Sequence, residues 1–231
     1  MDTEEYLLVP YKASGENLFA ILAGLDIQPW DTVLSILASD QPFAFLNVDN
    51  VKVEAVDTVE RQVQYFEYRK QLLKEGKKAC FLALGSLSKL DVKLVENGYH
   101  DDSITITAVD AALDKQRRDF FLNNGTLDRI TKNLGNVTHR HGDVFDTPDI
   151  ERFSKVYLSN GLSSNVDFTG FAQKLSPGTL VYLASQEFLH SHAGFEKFLK
   201  QDKELTAKAQ ALESRIVWNP GVYRRLVEPA F

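Results

Sequence analysis

Two acids at the ends of expected strands and two pairs of histidines are the residues of this chain on which chemistry could be built. Asp57 closes "VKVEAVD" (51–57), and Gly142-Asp143 lies within "NVTHRHGDVFD" (136–146). A carboxylate at the carboxyl end of a strand, one strand–helix unit after the first, is placed to accept hydrogen bonds from a ribose cis-diol. A Gly-Asp step after a later strand can bring backbone and carboxylate to an adenine edge, and Gly142 and Asp143, with Val144 next to them, fit that role. His139-x-His141 sits on the same run, so both rings share one strand face and, with Asp143, could offer a metal three ligands. His190-x-His192 follows "TLVYLAS" (179–185), where either ring could serve as a general base at a substrate mouth. Plainer roles compete with each of these. Asp57 could cap the helix beginning "TVERQ", Asn160 could merely end a strand, the histidines could be hydrogen-bonded or exposed, and no H-E-x-x-H motif supports a metal.

Positioning these groups requires a particular order of elements. "NLFAILAGL" (17–25) reads as a helix apolar around much of its circumference. "TVLSILA" (32–38) is a short apolar run with the character of a strand buried on both faces. It leads into the loop "ASDQPF", and then comes the strand 51–57. "TVERQVQYFEYRKQLLKEGKK" (58–78) carries Val59, Val63, Phe66 and Leu73 at helical spacing, with Gly76 as a stop. This alternation demands a parallel sheet with 32–38 central and 51–57 beside it. "ACFLALGS" (79–86) and "SITITAVD" (103–110) read as a second strand pair, which would put Asp110 in the ribose position; a helical insertion is the alternative reading, since "AALDKQRRDFFL" is a strong helix. Further strands are expected at 136–146, 154–162 and 179–185, with helices over "PDIERF", "VDFTGFAQKLSPG" and "AGFEKFLKQDKELTAKAQALESR". "IVWNPGVYRRLVEP" suggests a closing antiparallel hairpin around Asn219-Pro220-Gly221. No linker or low-complexity tract divides the chain, so 1–231 is expected to be one Rossmann-like α/β domain.

Bulk properties narrow the function classes. With 231 residues, 44% hydrophobic and 25% charged, the chain has enough material for a substantial core. Its net charge of -6 supplies no basic surplus for phosphates and argues against nucleic acid as a partner. The lone cysteine, Cys80, excludes a disulfide framework within the chain and suits a reducing compartment. The acidic start lacks the pattern of a signal peptide, and no apolar run reaches the ~20 residues of a membrane span. A cytoplasmic protein is expected, with peripheral membrane contact still compatible.

The loop after the first strand is informative for what it lacks. "ASDQPF" contains no glycine, whereas close backbone approach to a pyrophosphate calls for one. S-adenosylmethionine carries a sulfonium and no phosphate, so a glycine-poor loop favours it over NAD or ATP.

The stretch "LFAILAGLDIQPWDTVLSILASDQPFAFLNVDNVKVEAVDTVERQVQYFEYRKQLL", with "VTHRHGDVFD" and "KVYLSNGL" further on, resembles the S-adenosylmethionine:diacylglycerol 3-amino-3-carboxypropyl transferases, the betaine-lipid synthases. The shared pattern covers residues 18 to 75 and 136 to 185. The resemblance implies a Rossmann-like class I S-adenosylmethionine-dependent methyltransferase fold and a small-molecule or lipid-like acceptor. It places Ala38, Ser39, Asp40 and Gln41 in the cofactor loop, Asp57 at the ribose, Asp143 at the adenine, and Ser159 and Asn160 at an "LSN" site beside the methionine arm. The chain departs from the family in its missing loop glycines, a one-residue deletion there, and an insertion shortened to about 77–135. Aminocarboxypropyl transfer is the expected reaction. Methyl transfer, a non-catalytic nucleoside- or partner-binding role and a metal-dependent hydrolase built on the histidine pairs are the alternatives.

Overall fold

The computed structural model describes residues 15–37, 39–84, 108–159, 166–213 and 218–227, with backbone alone at 108–113, 188, 190 and 191. Among the described residues, seven strands form one sheet: β1 (Thr32–Ile36), β2 (Lys52–Asp57), β3 (Val137–His141), β4 (Lys155–Ser159), β5 (Leu180–Leu183), β6 (Leu199–Gln201) and β7 (Gly221–Arg225). Their order across the sheet is β3-β2-β1-β4-β5-β7-β6. The first five run parallel, and β7 lies antiparallel between β5 and β6. The helices are α1 (Leu18–Leu25), α2 (Gln41–Phe45), α3 (Glu60–Lys74), α4 (Lys78–Leu84), α5 (Ala108–Leu122), α6 (Thr126–Lys132), α7 (Phe168–Lys174) and α8 (Lys203–Leu212).

Alternation along the strands divides the core into two layers. Val33, Val53, Ala55, Val137, Tyr157 and Tyr182 face one layer, where α1 to α6 and α8 contribute apolar side chains such as Phe43, Phe66, Phe81 and Phe120. Leu34, Val56, Val156, Leu158 and Val181 face the other, against Phe153, Phe168, Phe171 and Phe195. Both faces of the sheet are buried, which is why the first strands read as nearly unbroken apolar runs rather than alternating ones.

The expected centre of the sheet holds: β1 pairs with β2 on one side and β4 on the other. Between β1 and β4 the order of strands reverses direction, so the carboxyl ends of these two strands flank a topological switch point.

Three expectations change. Residues 78–84 are helical, not a strand, and 108–110 open α5, so Asp110 is not at a strand end; 103–107 lie outside the described residues. The reason is compositional: "KACFLAL" has no β-branched residue, and Phe81 and Leu84 are buried on one face of a helix. Within the stretch 193–215, a short strand, β6, precedes the helix, which starts only where Asp202 accepts a hydrogen bond from the Leu205 amide. The closing antiparallel pair is therefore β6 and β7, joined through α8 rather than by a tight turn at Pro220.

Candidate functional site

At the carboxyl ends of β1, β2 and β3 lies a cavity of about 320 Å³, walled by Ile36, Val56, Asp57, Thr58, Val59, Val166 and the segment Gly142 to Phe145. Register creates it. Asp57 is paired with His141, and the Gly142 amide donates to the Asp57 carbonyl at 2.9 Å, so the two strands end side by side. Gly142 has φ +152°, a conformation that side-chain-bearing residues rarely adopt, and the chain can therefore turn there directly into the cavity wall. Asp143 fixes that turn by accepting from the Phe145 amide at 2.9 Å, while Phe145 rests edge-on against Phe171 of α7.

Asp57 is the polar centre of this cavity. One carboxylate oxygen, Oδ1, accepts from the Val59 amide at 2.8 Å; Oδ2 has no partner among the described residues. Burial raises its pKa, opposed by the Val59 hydrogen bond and by His141. It is not the N-cap of α3, because that position belongs to Val59. The structure thus brings together Asp57, Gly142, Asp143 and Val144 from the sequence-derived set. A carboxylate facing aliphatic walls can accept hydrogen bonds from a diol while Ile36, Val144 and Val166 cover a flat apolar ring.

The loop after β1 carries the residues expected to form the cofactor loop. Ser39 and Asp40 are buried, and Gln41 begins α2. Both Asp40 carboxylate oxygens are engaged by arginines: Oδ1 by Arg69 Nη2 at 2.6 Å and Oδ2 by Arg117 Nε at 2.8 Å. Arg69 also donates from Nη1 to the Ser39 carbonyl at 3.3 Å and hydroxyl at 3.2 Å. The Asp40 carboxylate is therefore turned inward, onto the two guanidinium groups. Ala38 lies outside the described residues.

Sequence reasoning did not find these arginines, although a signal existed. Arg69 falls on the buried stripe Tyr65, Phe66, Leu72 and Leu73 of α3, and Arg117 precedes Phe120 and Phe121 by three and four positions in α5. A charge on an apolar stripe announces a buried partner.

Across the switch point, Ser159 ends β4 with φ 50°. Its hydroxyl donates to Glu16 Oε1 at 2.5 Å, and the Tyr157 hydroxyl donates to the same oxygen at 2.6 Å. Burial, reinforced by Glu16, pushes the Tyr157 phenol well above its usual range. Glu16 is a third residue that sequence reasoning did not find, and no local motif revealed it. Asn160 lies outside the described residues.

Among the described residues, the histidines do not converge. His139 points toward α3, 3.4 Å from Glu67 and tilted against Phe66, whereas His141 bonds the Thr58 carbonyl at 2.9 Å. His192 is buried edge-on against Phe168, and the His190 side chain is outside the description. Among the described residues, no group of three or more histidine, cysteine or acidic side chains is arranged to hold a metal.

No family model matches the sequence, and neither does any curated protein. Solved structures do match. An S-adenosylmethionine-dependent O-methyltransferase from Thermotoga maritima aligns over 100% of this chain and 72% of its own, at 9% identity and a TM-score of 0.51. An S-adenosylmethionine-dependent methyltransferase from Aquifex aeolicus aligns over 98% and 100%, at 12% identity and 0.44. An RNA methyltransferase from Salinibacter ruber, crystallised with S-adenosyl-L-homocysteine, aligns over 93% and 91%, at 14% identity and 0.38. With its strand order and its antiparallel β7, the chain has the class I S-adenosylmethionine-dependent methyltransferase fold.

Proposed function

We propose that this protein is an S-adenosylmethionine-dependent transferase acting on a small-molecule or lipid-like acceptor. One observation carries the reading: the cavity at the ends of β1, β2 and β3, with the Asp57 carboxylate directed to it from the carboxyl end of β2. Its size falls within the ~300–1,000 Å³ of small-ligand sites, and the Asp57 carboxylate among largely apolar walls suits a nucleoside. Asp57 would accept the ribose hydroxyls, and the turn Gly142-Asp143-Val144 would border the adenine. Ser39, Asp40 and Gln41 would shape the loop toward the methionine arm, and Ser159 and Asn160 would lie on the opposite side of the switch point.

When bound, the sulfonium supplies an activated carbon for attack by the acceptor. The chain's task is alignment of the two, which can lower a barrier by several kcal/mol, on the order of 7–11 for ideal geometry. The finer assignment, transfer of the 3-amino-3-carboxypropyl group, rests on the resemblance over residues 18 to 75 and 136 to 185. Methyl transfer is the second reading, favoured by the fold shared with the Thermotoga maritima O-methyltransferase. His190 and His192 follow β5 and stay candidates for accepting the acceptor's proton; His192 would first have to exchange its packing on Phe168.

Titration with S-adenosylmethionine by calorimetry tests the binding, and chromatography of the spent compound tests the reaction. Methylthioadenosine as product supports aminocarboxypropyl transfer; S-adenosylhomocysteine means methyl transfer. Binding with neither product, across a panel of amine, hydroxyl and lipid acceptors, leaves a nucleoside-binding role without catalysis.

A further inference from the structure

Ser39 stands at φ 98°, in a region where a residue with a Cβ is strained and glycine is not. It occupies the loop after β1, beside the switch point where ligands of open α/β sheets bind. Such strain persists only where surrounding structure imposes it. Here the imposing group is identifiable. The Arg69 guanidinium reaches Ser39 through two acceptors and Asp40 through a third, in one planar fork. It is itself immobile: wholly buried, 4.3 Å from the Phe81 ring centroid and 5.2 Å from that of Phe43. Arg117 holds the far oxygen of Asp40 and the Leu82 carbonyl, so α3, α4 and α5 all bear on two consecutive loop residues.

We propose that Arg69 is a positioning residue for the ligand site: by gripping Ser39 and Asp40 together, it enforces in a glycine-free loop the left-handed turn that glycine would adopt unaided. The inference deepens the nucleoside-binding reading and rests on it for its consequence in affinity. Lysine cannot replace the fork, because a single ammonium cannot satisfy the Ser39 carbonyl and hydroxyl and the Asp40 carboxylate in fixed geometry.

The test is a rescue. The affinity of S-adenosylhomocysteine is measured by calorimetry for the natural chain, Arg69→Gln, Ser39→Gly and the double variant, with thermal midpoints alongside. Arg69→Gln is expected to weaken binding by about tenfold or more, the loss of a charge-assisted hydrogen-bond set. Adding Ser39→Gly should restore affinity to within about threefold of the Ser39→Gly single variant, since glycine holds the turn without help. A purely structural arginine would show the same loss in both backgrounds, and that result overturns the proposal. Unchanged affinity in Arg69→Gln also overturns it. Should Arg69→Gln not fold, Arg69→Lys retains the charge beside Asp40 and takes its place in the same comparison. If the natural chain binds no S-adenosylhomocysteine, the transferase reading falls, and hydrogen exchange at the Asp40 and Gln41 amides decides the loop separately. Faster exchange in the arginine variant, slowed again by Ser39→Gly, supports the grip; exchange unaffected by Arg69 removes it.

Discussion

The Gly142 amide donates to the Asp57 carbonyl at 2.9 Å, one hydrogen bond beyond the last paired residues of β2 and β3. That bond sets the carboxylate of one strand end against the turn of the next, and the walls of the cavity follow from it.

Asp57→Ala should weaken S-adenosylmethionine binding by about 1.5–3 kcal/mol, the range for hydrogen bonds to a charged group. Calorimetric affinity equal to that of the natural chain, with circular dichroism unchanged, would remove Asp57 from the site.

The same residue should make stability depend on pH. Burial raises the Asp57 pKa, so the folded state holds its proton more tightly than the unfolded state does. Stability then falls as pH rises through a window that opens at the ordinary value of 3.8 and closes at the raised one. Asp57→Asn removes this penalty. The variant should be more stable than the natural chain near neutrality, and the difference should shrink below the window. Urea unfolding at both ends of the range checks the sign.

His139 should act in the opposite direction. Burial lowers its pKa, with Glu67 opposing, so the folded state binds this proton less tightly than the unfolded chain, whose ordinary value is 6.5. Stability should rise with pH between the lowered value and 6.5 and flatten above it. His139→Gln should lose that slope, and a histidine titration followed by NMR should place the His139 midpoint below that of an exposed ring.

Asp40→Asn removes the carboxylate that two buried guanidinium groups share, and should destabilise the fold by about 3–5 kcal/mol. The exposed pair Lys115–Asp119 is a control: Asp119→Asn should cost well under about 1 kcal/mol. Similar denaturation midpoints for the two variants would show that the buried cluster is not the stabilising unit.

Gly142→Val should be costly for a conformational reason. At φ +152° a β-branched residue is strained, and a Cβ there would lie 2.6 Å from Arg140 Nη1. A loss of about 1–3 kcal/mol is expected, with ligand affinity falling as the turn is displaced. Equal affinity and stability would show that the turn tolerates a side chain.

What could be read in the sequence follows from how locally each feature is encoded. β1 and β2 were legible because runs rich in valine and leucine, bounded by polar residues, have few other ways to be buried. Asp57 was legible because it stands at the end of such a run, and Gly142 because a Gly-Asp step follows an expected strand. Residues 78–84 were not, since a short apolar stretch looks the same whether it is a helix face or a strand, and only Phe81 packing on Phe43 decides it. β6 was hidden by its length of three residues. The partners of Asp40 and Ser159 were the least accessible: Arg117 lies 77 positions from Asp40, and Glu16 lies 143 from Ser159. No spacing rule reaches that far.

Those separations carry a consequence for the order in which the protein comes into being. A ribosome makes Asp40 first, Arg69 after 29 more residues and Arg117 only after 77. The loop beside the switch point therefore cannot be completed when β1, the loop and β2 have just been made, but only after α5 has followed them. On the proposed function, binding competence then comes only once α5 has emerged, not with β1 and β2, whose ends line the cavity.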